Sequence, residues 1–218
     1  MGKVIKLNFK EIKNGFSLTA CIIYAIVALI FVISPLNLVE ANTDDGSFFI
    51  AGIGIRMIIN LLIITTFTEN IIRGSLVEKI SHGINKWQLF FGYVITFIII
   101  NVIISILAPA ILYLVYSVIF DFKLKFTISK LTIVCAMEMI AILKYSALVS
   151  MLMLSMRRKS DGSLMVIIMV VLNIYMIFKE GQIYFWKAFP YKIAIIDVIF
   201  SILMIIAGIW YMTKHDYE

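Results

Sequence analysis

Apolar and polar positions come in blocks along this chain. Six runs are almost wholly apolar: Phe16–Ser34, Phe48–Thr68, Leu89–Val118, Leu131–Met156, Ser163–Phe178 and Ile193–Thr213. A helix needs about 20 such residues to cross the hydrocarbon of a bilayer. A membrane-spanning strand would instead place a polar residue at every second position. These runs are apolar on all sides, so the pattern predicts six transmembrane helices. The fold class is therefore an all-α polytopic membrane protein, a single domain over 1–218 with almost nothing left for a soluble unit.

The polar blocks carry their own signals. In Lys3–Phe16, Ile5, Phe9, Ile12 and Phe16 recur at helical spacing, with Lys6, Lys10 and Lys13 on a neighbouring face. This predicts an amphipathic helix over 1–15 that lies in the headgroup plane and attracts anionic lipid. The basic start followed by an apolar run is similar to a signal sequence. It lacks a small-x-small cleavage site, ending Val-Ile-Ser-Pro at Val32–Pro35, so the first span is read as retained.

Asp44–Ser47 is a helix-start signal for the second span, which contains Arg56. The third span belongs to an uncharged run from Trp87 to Phe120, too long for one perpendicular crossing; it either tilts or bends near Pro109. The fifth span is short. Lys179–Lys192 then combines charges with Tyr184, Phe185, Trp186, Phe189 and Tyr191. It reads as a re-entrant or interfacial helical piece on the outer face, with an aromatic-belt loop as the alternative.

Composition agrees with the pattern. The chain is 62% hydrophobic and 15% charged, with mean hydropathy +1.04, far from the quarter or so of charged residues usual in soluble domains. Its charge sets orientation. With the N-terminus inside, inner segments hold Lys3, Lys6, Lys10, Lys13, Arg73, Lys79, Lys86, Arg157, Arg158, Lys159 and Lys214, eleven bases. Outer segments hold six: Lys123, Lys125, Lys130, Lys179, Lys187 and Lys192. The bias predicts N-in and C-in. The first outer loop, Pro35–Ser47, has Glu40, Asp44 and Asp45 and no base.

Catalytic chemistry is sparse. There is no phosphate loop, no His-Glu-x-x-His and no Gly-x-Ser-x-Gly. His82 and His215 fall in inner segments without a plausible set of metal partners, so no catalytic or metal residue is assigned. Cys21 and Cys135 lie within spans and read as small buried hydrophobes.

Arg56, Glu138 and Lys144 are charges inside candidate spans. Such groups usually pair or face a cavity. Glu138 and Lys144 are about 240° apart around a helix and cannot pair along one face. An Arg56–Glu138 bridge fits the expected depths. Lys144 reads as a pathway or dimer-seam residue, or as one that snorkels or bonds a neighbouring backbone carbonyl. Methionines crowd spans 4 and 5 (Met137, Met139, Met151, Met153, Met156, Met165, Met169, Met176); they suit adaptable contact with apolar cargo, or simple core filling and lipid contact.

The block Glu69–Tyr93 is a charged, helix-friendly island between two apolar runs. It resembles the cytoplasmic link between spans 2 and 3 of type II ABC exporter permeases. Glu69 stands where that family has an acid, and Gly74-Ser75-Leu76 where it has Gly-Thr-Leu. Gly83-Ile84-Asn85-Lys86 occupy the usual Pro-Val-Ser-Arg, and Leu89-Phe90-Phe91-Gly92 the closing apolar-Gly. Lys86, Asn85 and Tyr93 depart from the usual Arg, Ser and Lys; lysine lacks the planar fork of arginine.

The resemblance implies a transmembrane subunit of an ATP-driven exporter that pairs with a second permease, identical or homologous. Each would rest on a separate ABC ATPase subunit, which binds ATP and Mg and does the hydrolysis; this chain would hold no cofactor and bind no nucleic acid. The link over 69–88 would be a coupling region seated in the ATPase, with Glu69, Gly74, Ser75, Glu78, Lys79 and Lys86 as its site residues. Small permeases of this kind export, or protect against, antimicrobial peptides such as lantibiotics, bacteriocins or phenol-soluble modulins. The Ile-, Lys- and Asn-rich composition suits the cytoplasmic membrane of a Gram-positive bacterium. Rival readings are an intramembrane enzyme such as a protease, a non-transporting anchor or sensor subunit, and a small secondary carrier.

Overall fold

Three long helices meet side by side, and their shared polar ends define where the rest of the chain attaches. The computed structural model describes residues 1–15, 58–60, 62–64, 66–68, 70–71, 75–120, 128–155, 167–168, 171 and 189–214. Among these residues every regular element is helical: α1 (Gly2–Gly15), α2 (Ser75–Ser81), α3 (Lys86–Phe120), α4 (Ile128–Ser155) and α5 (Tyr191–Lys214). A shorter apolar helix covers Ile58–Thr68.

Three segments are long and apolar enough to cross a membrane: Lys86–Ile111, Thr132–Ser155 and Tyr191–Lys214. They match the third, fourth and sixth expected runs. The first run, Phe16–Ser34, lies outside the described residues, as does the aromatic stretch before Phe189. The second is described only from Ile58, and the fifth only at Ile167, Ile168 and Val171. Helix α3 continues through Pro109. Its 35 residues reach about 52 Å, well beyond the roughly 30 Å of hydrocarbon.

Specific contacts give the helix directions. Ser105 of α3 donates to Glu138 of α4 at 3.1 Å, and Tyr211 of α5 donates its hydroxyl to the Ser155 carbonyl of α4 at 3.3 Å. Gly208 of α5 faces the Phe90 ring of α3. So α3 begins at the end where α4 and α5 finish: α4 and α5 run parallel, and α3 runs against both.

Hydrocarbon offers no hydrophobic drive between helices, so close packing and polar contacts hold them. A Cβ at Gly208 would collide with Phe90, and one at Gly92 with Val4 of α1. Phe67 meets Tyr93 and Phe97 edge-on, with centroids at 5.1 and 5.7 Å, which fastens the Ile58–Thr68 helix to α3. Asn60 donates to the Asn101 side-chain oxygen at 2.6 Å in the same buried seam. Ile195, Ile199, Ile202 and Ile206 of α5 point outward. In a bilayer such a face meets lipid.

Helix α1 also packs on the protein through a face the stripe of Ile5, Phe9 and Ile12 did not single out: the buried positions are Val4, Asn8 and Ile12, and Phe9 is 38% exposed. Periodicity passed over Asn8, whose amide is satisfied inside. One expectation changes. Cys135 is exposed on α4, not buried. A thiol is apolar enough to face lipid as readily as a core.

Candidate functional site

The charged island folds into the short helix α2 and a tight turn into α3. Helix α2 begins at Ser75. Its last residue is Ser81, and the chain turns away at Gly83, whose φ of 79° is the left-handed conformation that favours glycine. The Gly83 N–H donates to the Ile80 carbonyl at 2.9 Å and the Ile84 N–H to the Lys79 carbonyl at 3.3 Å. This paired closure is a Schellman C-terminus. Ile84 then turns into the core, and the Asn85 carbonyl accepts from the Leu89 N–H at 3.0 Å as α3 starts. Four residues, His82–Asn85, separate α2 from α3, and the N–H groups of His82, Gly83 and Ile84 all bond back to carbonyls of α2.

Helix α2 has two faces. Leu76 and Lys79 are buried; Val77, Glu78 and His82 are exposed. Glu78 lies 4.0 Å from His82 one turn on, an exposed contact of little energetic weight. The Lys79 ammonium sits 2.8 Å from a Glu11 carboxylate oxygen, 3.2 Å from the Asn8 side-chain oxygen and 3.0 Å from the Tyr93 hydroxyl. It also lies 5.0 Å from the Tyr93 ring centre. Given its closeness to the hydroxyl, the ammonium meets the polar edge of the ring and not its face. Asn8 extends the network by donating to Thr96 at 3.2 Å, and Thr96 donates to the Gly92 carbonyl at 2.6 Å.

One lysine thus joins three helices. Burial pushes the Lys79 pKa below 10.5; the hydrogen bond to Glu11 and the charges of Glu11 and Glu78 oppose that shift. Lys79, named above as a coupling residue, directs its ammonium inward, because its stem is long enough to cross to α1 while Leu76 and Ile80 anchor α2. Glu78 does face outward, and Lys86 is half-buried at the first residue of α3. Glu69, Gly74 and Arg56 lie outside the described residues, and with Arg56 the proposed bridge to Glu138.

A second polar cluster lies between α4 and α5. Lys144 pairs with Asp197 at 3.0 Å, both side chains being about nine-tenths buried. Glu138 receives its hydrogen bond from Ser105 on the other side of α4. Glu138 and Lys144 therefore serve different neighbours, as their angular separation requires.

Sequence reasoning missed Asp197, Glu11, Asn8 and Tyr93. The signals were present but faint: Asp197 is the one acid in its apolar run, and Glu11 the one acid among four lysines. Among the described residues no group of three His, Cys, Asp or Glu side chains could hold a metal. Comparisons with protein-family models, with curated proteins and with solved structures each find no match.

Proposed function

We propose that this chain is the membrane subunit of an ATP-driven exporter, and that α2 is the helix through which a separate ATPase drives it. One observation carries the reading: a short helix at the polar end of the bundle presents Val77, Glu78 and His82 outward while its other face is bolted to α1 and α3. A lever needs a free face for the motor and a stiff joint to the load. Helix α2 has both.

The orientation of that end supports the reading. Where α3 starts and α5 finishes, Lys3, Lys6, Lys10, Lys13, Lys79, Lys86 and Lys214 cluster; at the opposite end the described chain shows Lys130 and Lys192. The positive-inside bias makes the α2 end cytoplasmic, where ATP is. The proposed six-span, N-in and C-in plan follows from the apolar runs and the basic residues that flank them; the pairing with a second permease and the ATP and Mg held by the partner follow from the resemblance of Glu69–Tyr93 to exporter permeases. An amphipathic antimicrobial peptide is the proposed cargo, and a Gram-positive cytoplasmic membrane the proposed location.

The test is reconstitution with a candidate ABC ATPase partner. Gly74→Pro and Lys86→Glu should abolish cargo-stimulated ATP hydrolysis and export while membrane insertion persists. Normal stimulation in both variants would remove α2 from the coupling role.

A further inference from the structure

Helix α1 has three faces, and each meets something different. At about 100° per residue, Val4, Asn8, Glu11 and Ile12 project toward α2 and α3. Ile5 and Phe9 lie roughly a quarter-turn further round, with Phe9 exposed. Lys3, Lys6, Lys10 and Lys13 fill the remaining outward arc, and all four are exposed. The only acid of α1, Glu11, is turned inward onto Lys79. Its charge is neutralised inside, so the outward surface is basic without interruption.

The position of α1 in the bundle names the partner. Val4 packs at Gly92 and Asn8 bonds Thr96, so α1 lies against the opening turns of α3. At the same end stand Trp87, exposed, and Trp210, whose ring lies 4.8 Å from the Lys214 ammonium. Tryptophan and lysine together mark a membrane–water boundary. A helix held at that depth, with an exposed aromatic beside an arc of lysines, complements an anionic lipid surface.

We propose that the outward surface of α1 binds anionic phospholipid headgroups, and that this contact, relayed by Asn8 and Glu11 to Lys79, sets the position of α2. Lipid charge is thus an effector of the helix that faces the aqueous side. The inference rests on the bundle geometry, and its test needs no ATPase, so it stands or falls separately from the exporter reading.

The experiment is hydrogen exchange on the purified full chain in nanodiscs of phosphatidylcholine, alone or mixed with phosphatidylglycerol. Each lysine near an anionic surface contributes about a fivefold bias. Exchange over 2–15 should therefore slow by about tenfold or more in the anionic discs, with a smaller slowing over 75–81, and added salt should reduce both. The variant K3Q/K6Q/K10Q/K13Q changes only exposed side chains and should lose both responses. Lys79→Met should keep the response of α1 and lose that of α2; Glu11→Gln, which preserves volume, should do the same. Equal exchange of wild type in the two kinds of disc would overturn the lipid contact, as would full protection by inorganic phosphate in neutral discs. A response of α1 without one of α2 in the wild type would overturn the relay.

Discussion

The Lys79 ammonium lies 2.8 Å from the Glu11 carboxylate, joining the first helix of the chain to the short helix after Arg73. Removing one member of a buried pair strands the other. Lys79→Met should cost about 3 kcal/mol of the α1–α2 contact, toward the low end because Glu11 keeps 19% of its side chain exposed. The double variant Lys79→Met/Glu11→Leu should recover most of that loss. A double-mutant cycle on thermal unfolding in detergent measures the pair directly; additive losses would show no coupling.

The same lysine gives a pH dependence with a definite sign. Its folded pKa is lowered, so between that value and 10.5 the unfolded chain holds the extra proton. Stability from Lys79 is then flat below the lowered pKa and rises with pH through the window up to 10.5. The difference in unfolding free energy between wild type and Lys79→Met, followed across alkaline pH, should grow in favour of wild type. A shrinking difference would contradict the burial of a charged Lys79.

Lys144 and Asp197 should behave as a structural couple. Lys144→Leu leaves a carboxylate in an apolar seam and should cost about 3–5 kcal/mol. Lys144→Leu/Asp197→Leu should restore folding close to wild type. If the double variant folds but fails in the reconstituted assay that tests the proposed exporter function, the pair also serves that proposed function. Folding losses that simply add would refute the couple.

Gly92 and Gly208 are packing positions. Gly92→Ala should destabilise by about 1–3 kcal/mol through collision with Val4, and Val4→Ala should relieve it. Gly208→Ala should be relieved in the same way by Phe90→Leu. Thermal stability of the four single and two double variants tests both sites; a Gly92→Ala chain as stable as wild type would place α1 elsewhere.

The unbroken apolar runs dictated helices, because backbone groups in hydrocarbon must bond within their own segment. The basic end and the helical character of α1 were legible for the same local reason: charge and periodicity act over a few residues. Which face of α1 packs, where Cys135 points, and that Lys79 turns inward while Asp197 meets Lys144 were decided only by the tertiary structure. Those outcomes depend on partners far apart in the chain, such as Glu11 with Lys79 and Asn8 with Thr96. A polar side chain's environment is set by what crosses it in space, and no periodicity along one helix carries that information.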